Sequence, residues 1–368
     1  MAYNWQLPDW PKFTYNIDEV LDLILSCTER IGRLSGMLGA ANAEVDREVN
    51  IASLLAETLK TSAIEGEYIH RDDLMSSIRN NLGLNTKPEI VRDKRAGGVV
   101  RMMLYVMKTF DTALSEKEIC TWHSLLMEGN QYVKAGVWRT SSEPMQVVSG
   151  TAGREKVHFE APPSSRVPEE MKAFIQWFND TAPGGKHAMV HAPLRSALAH
   201  LYFESIHPFE DGNGRIGRAL SEKALSQYAG NPIIISLSQV IEANEKAYYS
   251  ALKKGQQSNE VSPWLQYFIG VIDQALRQAE EQIAFTIRKM RFFDNLKDQL
   301  NPRQLKVLRK MWEQGPGSFE GGMSAKKYMG ITGTSKATAT RDLQELSDEG
   351  ILHPEGEGRS RRYILREC

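Results

Sequence analysis

Twelve consecutive residues, 207–218, combine the side chains of a proton-transfer site with those of a phosphate site. They read His-Pro-Phe-Glu-Asp-Gly-Asn-Gly-Arg-Ile-Gly-Arg. His207 can act as a general base, because imidazole titrates close to neutral pH. Asp211 is a carboxylate of the kind that holds Mg²⁺ between two phosphates. Arg215 and Arg218 are three residues apart, so on a helix both guanidinium groups can bind phosphate oxygens on one face.

The local sequence predicts a helix, a tight loop and a second helix around these residues. Apolar residues at helical spacing begin at Pro193, and Pro208 disfavours helical geometry at the residue before it. The glycines in residues 211–214 favour a turn, and a second helix is predicted over residues 215–229. Free backbone N–H groups at a helix N-terminus attract anions, and glycines let a phosphate come close. The combination favours a phosphate site over a solvated corner between two helices.

This stretch resembles the signature of the Fic family, His-Pro-Phe-x-Asp/Glu-Gly-Asn-Gly-Arg-x-x-Arg, with every fixed position present. The common activity of that family is the transfer of AMP from ATP to a hydroxyl group of a protein. The resemblance implies that His207 deprotonates a Ser, Thr or Tyr side chain and that Asp211 holds Mg²⁺ between the α- and β-phosphates. It also implies that Asn213 and the loop N–H groups bind the α-phosphate, while Arg215 and Arg218 bind the β- and γ-phosphates.

The resemblance extends the predicted ATP site beyond the signature. Tyr248 and Tyr249 fall where the family often places a Tyr pair against the adenine, and Gln256 falls on the ribose side. Neighbouring residues of a helix point in different directions, so one Tyr at most can stack well. The kinase-like branch of the family has Lys in place of Gly214, which disfavours phosphate transfer here. The predicted ATP-binding residues are Glu65, Val148, Ser149, Gly150, Asp211, Gly212, Asn213, Gly214, Arg215, Ile216, Gly217, Arg218, Tyr248, Tyr249 and Gln256.

Residues 61–66 read Thr-Ser-Ala-Ile-Glu-Gly, which alone would fit the end of a helix with a solvated acid. Beside a Fic signature they resemble the inhibitory motif of that family, Ser/Thr-x-x-x-Glu-Gly/Asn, placed N-terminal to the signature as in its second class. In that scheme Glu65 pairs with Arg218 and takes the place of the γ-phosphate, because carboxylate and phosphate compete for one guanidinium. Glu65 could also orient a water for the reverse reaction, de-AMPylation.

Two short β-prone runs, residues 145–148 and 156–159, flank a glycine-containing turn and predict a hairpin. In Fic proteins a hairpin here, the flap, lies over the active site and aligns the target side chain through backbone hydrogen bonds. A purely structural hairpin is the alternative. Elsewhere in the first 300 residues an aromatic arm, 1–15, is expected to dock on the body of the protein, and hydrophobic spacing predicts helices over 44–60, 88–113, 115–129, 242–252 and 261–290.

The composition is balanced, with 45 basic and 46 acidic side chains among 368 residues, and indicates neither nucleic acid nor membrane as a partner of the whole chain. The three cysteines are scattered, which fits a reducing compartment. The first residues do not resemble a signal peptide, and no uncharged apolar run is long enough to span a membrane. We therefore expect a cytoplasmic location.

Residues 301–368 are similar to a winged helix-turn-helix, with short helices followed by strand, turn and strand. They contain 12 basic and 9 acidic residues, and the side chains that could contact DNA phosphates are Lys336, Arg341, Arg359, Arg361 and Arg362. Acidic residues on the same predicted helix oppose DNA binding: Asp342, Glu345, Asp348 and Glu349. A protein-docking or dimer-stabilising module is therefore favoured over a DNA-binding one.

The predicted fold is a mainly α-helical Fic bundle with a β-hairpin flap, followed by a winged helix-turn-helix domain. The predicted domains are an N-terminal helical region with the inhibitory motif (1–95), the catalytic core (96–295) and the winged-helix module (296–368). The predicted activity is that of a protein adenylyltransferase that uses ATP and Mg²⁺. The alternatives are a nucleotide-sensing DNA-binding regulator and a transferase with another donor, such as UTP, GTP or CDP-choline.

Overall fold

The computed structural model describes residues 2–149, 156–233, 235–296, 299–312 and 321–365. These residues are mainly α-helical, as predicted, with two short antiparallel hairpins. The helices are α1 (Leu21–Gly39), α2 (Ala43–Ile64), α3 (Arg71–Asn81), α4 (Lys94–Lys108), α5 (Glu116–Leu126), α6 (Val167–Asp180), α7 (Ala192–Ile206), α8 (Asn213–Ala229), α9 (Leu237–Ala243), α10 (Glu245–Gly255), α11 (Ser262–Asn295), α12 (Pro302–Trp312), α13 (Ala325–Thr332) and α14 (Lys336–Asp348). The strands are β1 (Gln146–Ser149), β2 (Lys156–Glu160), β3 (Leu352–Glu355) and β4 (Arg362–Leu365). Within the described ranges no helix combines the length and the apolar character that crossing a bilayer requires.

Contacts divide the chain into two units: residues 1–40 with 50–279, and residues 41–49 with 280–368. The first unit is built around α7, every residue of which is buried. A helix that is buried all round belongs in the middle of a core rather than at its surface. Helix α8 packs along α7, and α1, α4, α5 and α6 pack around this pair. Residues on both sides of position 95 therefore share one unit, whereas the predicted domains separate them there.

The helix predicted over 88–113 is present but shorter, because α4 begins later and ends earlier than predicted. The Asp93 carboxylate accepts a hydrogen bond from the backbone N–H of Arg95 at 3.0 Å and caps the helix. Asn80 keeps the residues before α4 out of helical geometry. Its side-chain amide bonds both the N–H and the C=O of Glu89, each at 2.8 Å. These side-chain contacts outweigh the helical pattern of the sequence.

Two other helices differ from the prediction. Helix α3 has no predicted counterpart, because it is largely polar and buries only Leu74, Ser77 and Ile78. The predicted helix over 242–252 is instead divided between α9 and α10. Asn244 lies between them with φ at −150°, and its side chain caps α10 by accepting from the N–H of Ala247 at 3.3 Å.

The N-terminal arm docks on the first unit, as predicted. Asn4 is fully buried, and its amide donates to Ser205 Oγ on α7 at 2.8 Å. The Trp10 ring meets Tyr202 edge-on with centroids 5.2 Å apart, and its N–H donates to Glu170 at 2.9 Å. The arm therefore supports the C-terminal half of α7, which leads directly into residues 207–218.

In the second unit α12, α13 and α14 are followed by the β3–β4 hairpin, the order predicted for a winged helix. Its core contains apolar side chains from all of these elements, including Leu308, Leu343 and Tyr363. Asp342 is buried there and accepts hydrogen bonds from Arg303 Nε and from the Tyr328 hydroxyl, both at 2.8 Å. Burial alone would raise the pKa of Asp342, but these two partners hold it below its ordinary value.

Candidate active site

The C-terminal end of α7 places His207 at the entrance of the candidate site. Its backbone has φ at +50°, in the left-handed region that residues with a side chain rarely adopt. Arg139 holds this geometry: its backbone N–H donates to the carbonyl of Pro208 at 2.9 Å, and its Nε donates to the carbonyl of His207 at 2.8 Å. Burial lowers the pKa of Arg139 to about 10, so its guanidinium is still charged at neutral pH. Arg139 therefore caps α7 and fixes the direction in which the loop leaves it.

Glu204, one turn earlier on α7, faces the imidazole of His207. His207 Nδ1 lies 3.5 Å from Glu204 Oε2, and both side chains are largely buried. Burial would raise the pKa of Glu204, but the contact with His207 and the charge of Arg218 lower it. An ionised Glu204 favours a proton on Nδ1 and leaves Nε2 to accept one from a substrate.

The loop after His207 is closed by Phe209 and Asn213. Phe209 is fully buried and stacks on the ring of His123 with centroids 3.9 Å apart. The Asn213 side chain bonds the N–H of Phe209 at 3.0 Å and its carbonyl at 2.9 Å. The amide of Asn213 therefore shapes the loop, and its backbone N–H is the group that faces outward at the start of α8.

His123 supports the same loop from α5. Its Nδ1 accepts from the N–H of Gly136 at 2.8 Å, which leaves the ring proton on Nε2 to donate to the carbonyl of Asp211 at 3.2 Å. Burial lowers the pKa of His123 to about 4, so it is neutral at physiological pH. His123 therefore positions the loop and is not itself a base for the reaction.

Helix α8 begins at Asn213, after Gly212 with φ at +80°. The first N–H groups of a helix have no partner within it, so this end is suited to an anion. At Gly214 a Cβ atom would lie 2.4 Å from Glu65 Oε1, so the absence of a side chain there leaves room for the Glu65 carboxylate. Ile216 is fully buried, and a Cβ at Gly217 would lie 2.8 Å from Glu204 Oε1. These last two residues therefore face the core side of α8, and their predicted contacts with ATP stay predictions.

Arg218 is held by the end of α2. Its side chain is 1% exposed; Nε and Nη2 donate to Thr61 Oγ1 at 3.0 and 2.8 Å, and Nη2 donates to Glu65 Oε1 at 2.9 Å. Burial works to lower the pKa of Arg218, but the nearby carboxylates, Glu65 first among them, raise it further. The structure thus brings Thr61 and Glu65 of the predicted inhibitory motif together with the last Arg of the signature.

Arg215 has carboxylates on two sides. Its side chain is 2% exposed; Nη1 donates to Glu67 Oε2 at 2.7 Å, and Nη2 lies 3.4 Å from Asp211 Oδ1. The side chain of Asp211 is 42% exposed, and its Oδ1 also accepts from the N–H of Gly212 at 2.6 Å. Glu67 was absent from the predicted site, although it is only two residues beyond Glu65.

The three residues predicted on the nucleoside side differ in exposure. Tyr248 is buried, and its hydroxyl shares a 2.8 Å hydrogen bond with Nε2 of His200. Burial lowers the pKa of His200 to about 4. Gln256 is buried and donates to the carbonyl of Glu204 at 3.1 Å. Tyr249 is 43% exposed. Only the Tyr249 ring is therefore accessible for stacking on a base in the described structure.

The predicted hairpin is formed by β1 and β2, with Val148 paired to Val157 and an irregularity after Val147. Val148 is 47% exposed, and Phe159 on the partner strand is buried. Gly150, a predicted ATP contact, lies outside the described residues, as does the side chain of Ser149. The contacts assigned to these three flap residues therefore stay predictions.

Comparison with known proteins identifies the family of this site. Residues 113–225, which include the loop and most of α8, match the family model of the Fic/DOC family. The chain carries a Fic/DOC family domain. The flanking regions match other models: residues 3–84 a domain of unknown function (DUF4172), and residues 320–366 the C-terminal domain of DIP2311-like transcriptional regulators.

Relatives and solved structures agree with this assignment. The chain is 27% identical over 158 residues to the protein adenylyltransferase Fic of Drosophila virilis, covering 41% of this chain and 30% of that protein. It is 30% identical over 106 residues to the Drosophila ananassae protein of the same name, which covers 29% of this chain and 19% of that protein. It thus spans less than a third of the length of these relatives.

A crystal structure of a Fic family protein from Desulfovibrio desulfuricans superimposes with a TM-score of 0.58 at 21% identity, over 97% of this chain and 98% of that one. A Fic domain containing signaling protein from Bacteroides thetaiotaomicron superimposes with a TM-score of 0.54 at 18% identity, over 72% and 96%. At this identity the structural likeness supports the fold alone.

The Fic domain contains supporting residues that the sequence analysis missed. Glu204 could have been found, because its spacing of three residues from His207 on a predicted helix puts both on one face. Arg139 and His123 lie far from the signature in sequence and carry no local pattern. They were identified only by their contacts with the loop.

Proposed function

We propose that this chain transfers AMP from ATP to a Ser, Thr or Tyr hydroxyl of a protein. One observation carries the proposal: a single loop sets the His207 imidazole beside the N-terminus of α8, where two arginines converge on the place suited to phosphates. The names of the Drosophila relatives point to the same activity.

In the proposed reaction the α-phosphate lies at the N–H groups that begin α8, and Nε2 of His207 accepts the proton of the target hydroxyl. The hydroxyl oxygen then bonds to the α-phosphorus, and the bond from that phosphorus to the bridging oxygen of the β-phosphate breaks. Pyrophosphate leaves with its negative charge facing Arg215 and Arg218. The protein contributes alignment, a base and fixed positive charge.

Asp211 is the residue that would hold Mg²⁺. Its carboxylate is partly exposed at the loop, and the contacts described for it all use Oδ1, so that Oδ2 can face a cation. Carboxylate oxygen is a ligand that Mg²⁺ prefers, with substrate phosphates completing the shell. Bound there, the ion would neutralise charge on the phosphates. The ion would thereby share the Asp211 carboxylate with Arg215.

We further propose that Glu65 inhibits the transfer. Glu65 Oε1 occupies Nη2 of Arg218 at 2.9 Å, so a γ-phosphate would have to displace the carboxylate from that donor. Glu65 Oε1 lies 2.4 Å from the position that a Cβ atom of residue 214 would occupy. The carboxylate is therefore also close to the first turn of α8, where we propose that the α-phosphate binds. A role of Glu65 in the reverse hydrolysis stays a prediction.

The experiment is incubation of the wild type and Glu65→Gly with ATP and Mg²⁺, read by intact mass and peptide sequencing. A charge-assisted hydrogen bond of about 1.5–3 kcal/mol predicts a rise in transfer on the order of tenfold to a hundredfold in the variant. Glu19→Gly, at an exposed acid near the start of α1, is the matched control. An unchanged rate in Glu65→Gly would refute the inhibition, and no adenylate on any protein would refute the transfer. Parallel incubations with UTP, GTP and CDP-choline test the donor.

A second candidate function, contact of α14 with double-stranded DNA, gains support from the second unit. Two of the four acidic residues that weighed against it have partners within the second unit: Asp342 is buried and accepts from Arg303 and Tyr328, and Glu345 accepts from Gln304 at 3.1 Å. Ser335 caps the helix, and its first turns expose Lys336 and Arg341. A shift of duplex DNA in a gel, unaffected by His207→Ala, would support this function.

A further inference from the structure

A second carboxylate–guanidinium pair lies beside the one between Glu65 and Arg218. Glu67 accepts from Arg215 Nη1 at 2.7 Å, and the Arg215 side chain is 2% exposed while that of Glu67 is 23% exposed. Among the described residues, Arg215 Nε has no hydrogen-bond partner. The guanidinium is thus buried and its remaining hydrogen-bonding capacity is unused, which is costly for a cation unless a ligand completes the site.

Both carboxylates are placed by one turn at the end of α2. The N–H of Glu67 donates to the carbonyl of Ser62 at 2.9 Å, and the N–H of Gly66 donates to that of Ala63 at 2.9 Å. This is the pair of hydrogen bonds of a Schellman motif, with Gly66 in the left-handed conformation at φ +76°. The motif fixes Glu65 and Glu67 relative to each other, at a spacing that matches Arg218 and Arg215 one helical turn apart.

We propose that Glu67 is a second inhibitory carboxylate, which occupies Arg215 and must leave before that side chain can bind the β-phosphate. This inference rests on the proposed function, because it needs Arg215 to be a phosphate ligand. Glu65 and Glu67 then block two adjacent phosphate positions, and one movement of residues 65–67 frees both arginines. Arg215 Nη2 also lies 3.4 Å from Asp211 Oδ1, its second carboxylate contact.

The alternative is that Glu67 only supports Arg215, as a structural partner would. The two roles predict opposite signs. A competitor lowers the affinity for any nucleotide with a β-phosphate, so its removal raises that affinity. A supporting carboxylate holds the guanidinium in the binding geometry, so its removal lowers the same affinity.

The experiment measures the dissociation constants of AMP, ADP and ATP, each with Mg²⁺, by calorimetry on the full chain. The variants are Glu67→Gln and Glu65→Gly, and Asp72→Asn is the matched control because it removes a nearby carboxylate that is 83% exposed. Since charge-assisted bonds are roughly twice as strong as neutral ones, we expect Glu67→Gln to tighten ADP and ATP by about tenfold and to leave AMP unchanged. Glu65→Gly should tighten ATP more than ADP, because its arginine faces the γ-phosphate.

Tightening of ADP by Glu67→Gln without tightening of AMP supports the inference. Equal affinities in Glu67→Gln and the wild type, or weaker ADP binding in the variant, would overturn it even if Glu65→Gly binds ATP and transfers AMP. If Glu67→Gln binds AMP more tightly as well as ADP and ATP, or if Asp72→Asn also binds ADP more tightly, the effect is one of general charge and the inference is overturned. If no variant binds any of the three, the proposed function fails together with this inference.

Discussion

Helices α8 and α14 both begin with small or polar residues and two cations, yet they hold those cations differently. In α8 the side chains of Arg215 and Arg218 are 2% and 1% exposed, and each donates to a carboxylate. In α14 the side chain of Arg341 is 67% exposed, with only an exposed carboxylate, Glu345, 3.7 Å from its Nε, and Lys336 is exposed as well. One helix N-terminus is therefore a closed site and the other an open surface.

The difference shows what kind of anion each helix suits. A buried guanidinium with a fixed direction can distinguish one arrangement of phosphates, but it needs a carboxylate partner when no phosphate is bound. An exposed cation needs no such partner, and it binds any phosphate backbone through the release of counterions. The carboxylate contacts of Arg215 and Arg218 follow from the burial of their guanidinium groups.

The largest expected effect is at His207, which has no counterpart in α14. In the Glu65→Gly background we expect His207→Ala to lower the rate of AMP transfer on the order of a thousandfold, because the base is lost. The affinity for ATP should stay unchanged, since the proposed phosphate contacts are those of α8 and not of His207. The rate is read by intact mass and the affinity by calorimetry. A decrease in transfer of less than about tenfold would mean that α8 aligns the reaction without this base.

The second prediction concerns the rigidity of the loop before α8. Arg139→Leu leaves the carbonyls of His207 and Pro162 without a donor, and we expect a loss of about 3 kcal/mol in the free energy of unfolding. The affinity for ATP should fall with it. The control is Arg303→Leu in the second unit, which leaves Asp342 with Tyr328 and should not change ATP affinity. Thermal unfolding and calorimetry measure both effects. Unchanged ATP binding in Arg139→Leu would show that the loop keeps its shape unaided.

The parts of this site that could be predicted from sequence are those encoded by neighbouring residues. The break at Pro208 and the start of α8 after Gly212 follow from local backbone preferences, and the helices on either side have strong patterns. The pairing of Glu65 with Arg218 depends on residues far apart in sequence. It was predicted from a family resemblance and not from physical chemistry.

The remaining contacts could not be predicted because they depend on tertiary packing. Arg139 and His123 reach the loop from other elements, and a single Arg or His in a sequence shows no partner. Glu67 is a different case, since an exposed acid after a helix is common and its importance appears only when Arg215 is seen buried beneath it. Side-chain capping by Asn80 likewise outweighed the helical pattern before α4.

The third prediction is a loss of stability of the first unit in acid. Burial lowers the pKa of His123 to about 4 from its ordinary value of 6.5. Between these values the unfolded chain binds more protons than the folded one, so the free energy of unfolding falls as pH drops from 6.5 towards 4 and is unaffected above that range. His123→Gln removes this titration and should reduce the slope by up to about 1.4 kcal/mol per pH unit. Urea unfolding at several pH values measures it. An equal slope in the variant would mean that His123 is already charged when folded.

The smallest effect is expected at the exposed cations of α14. If this surface binds duplex DNA, Lys336→Ala and Arg341→Ala should each weaken binding a few-fold and reduce the slope of log affinity against log salt by about 1. The matched control is Lys12→Ala, which removes an exposed charge from the first unit and should leave the slope unchanged. If the affinity for DNA and its salt slope decreased equally in all three variants, net charge alone would attract DNA. If the chain does not bind duplex DNA even at low salt, the favoured role of the second unit is protein docking. The exposed cations of α14 would then contribute to solubility and not to phosphate recognition.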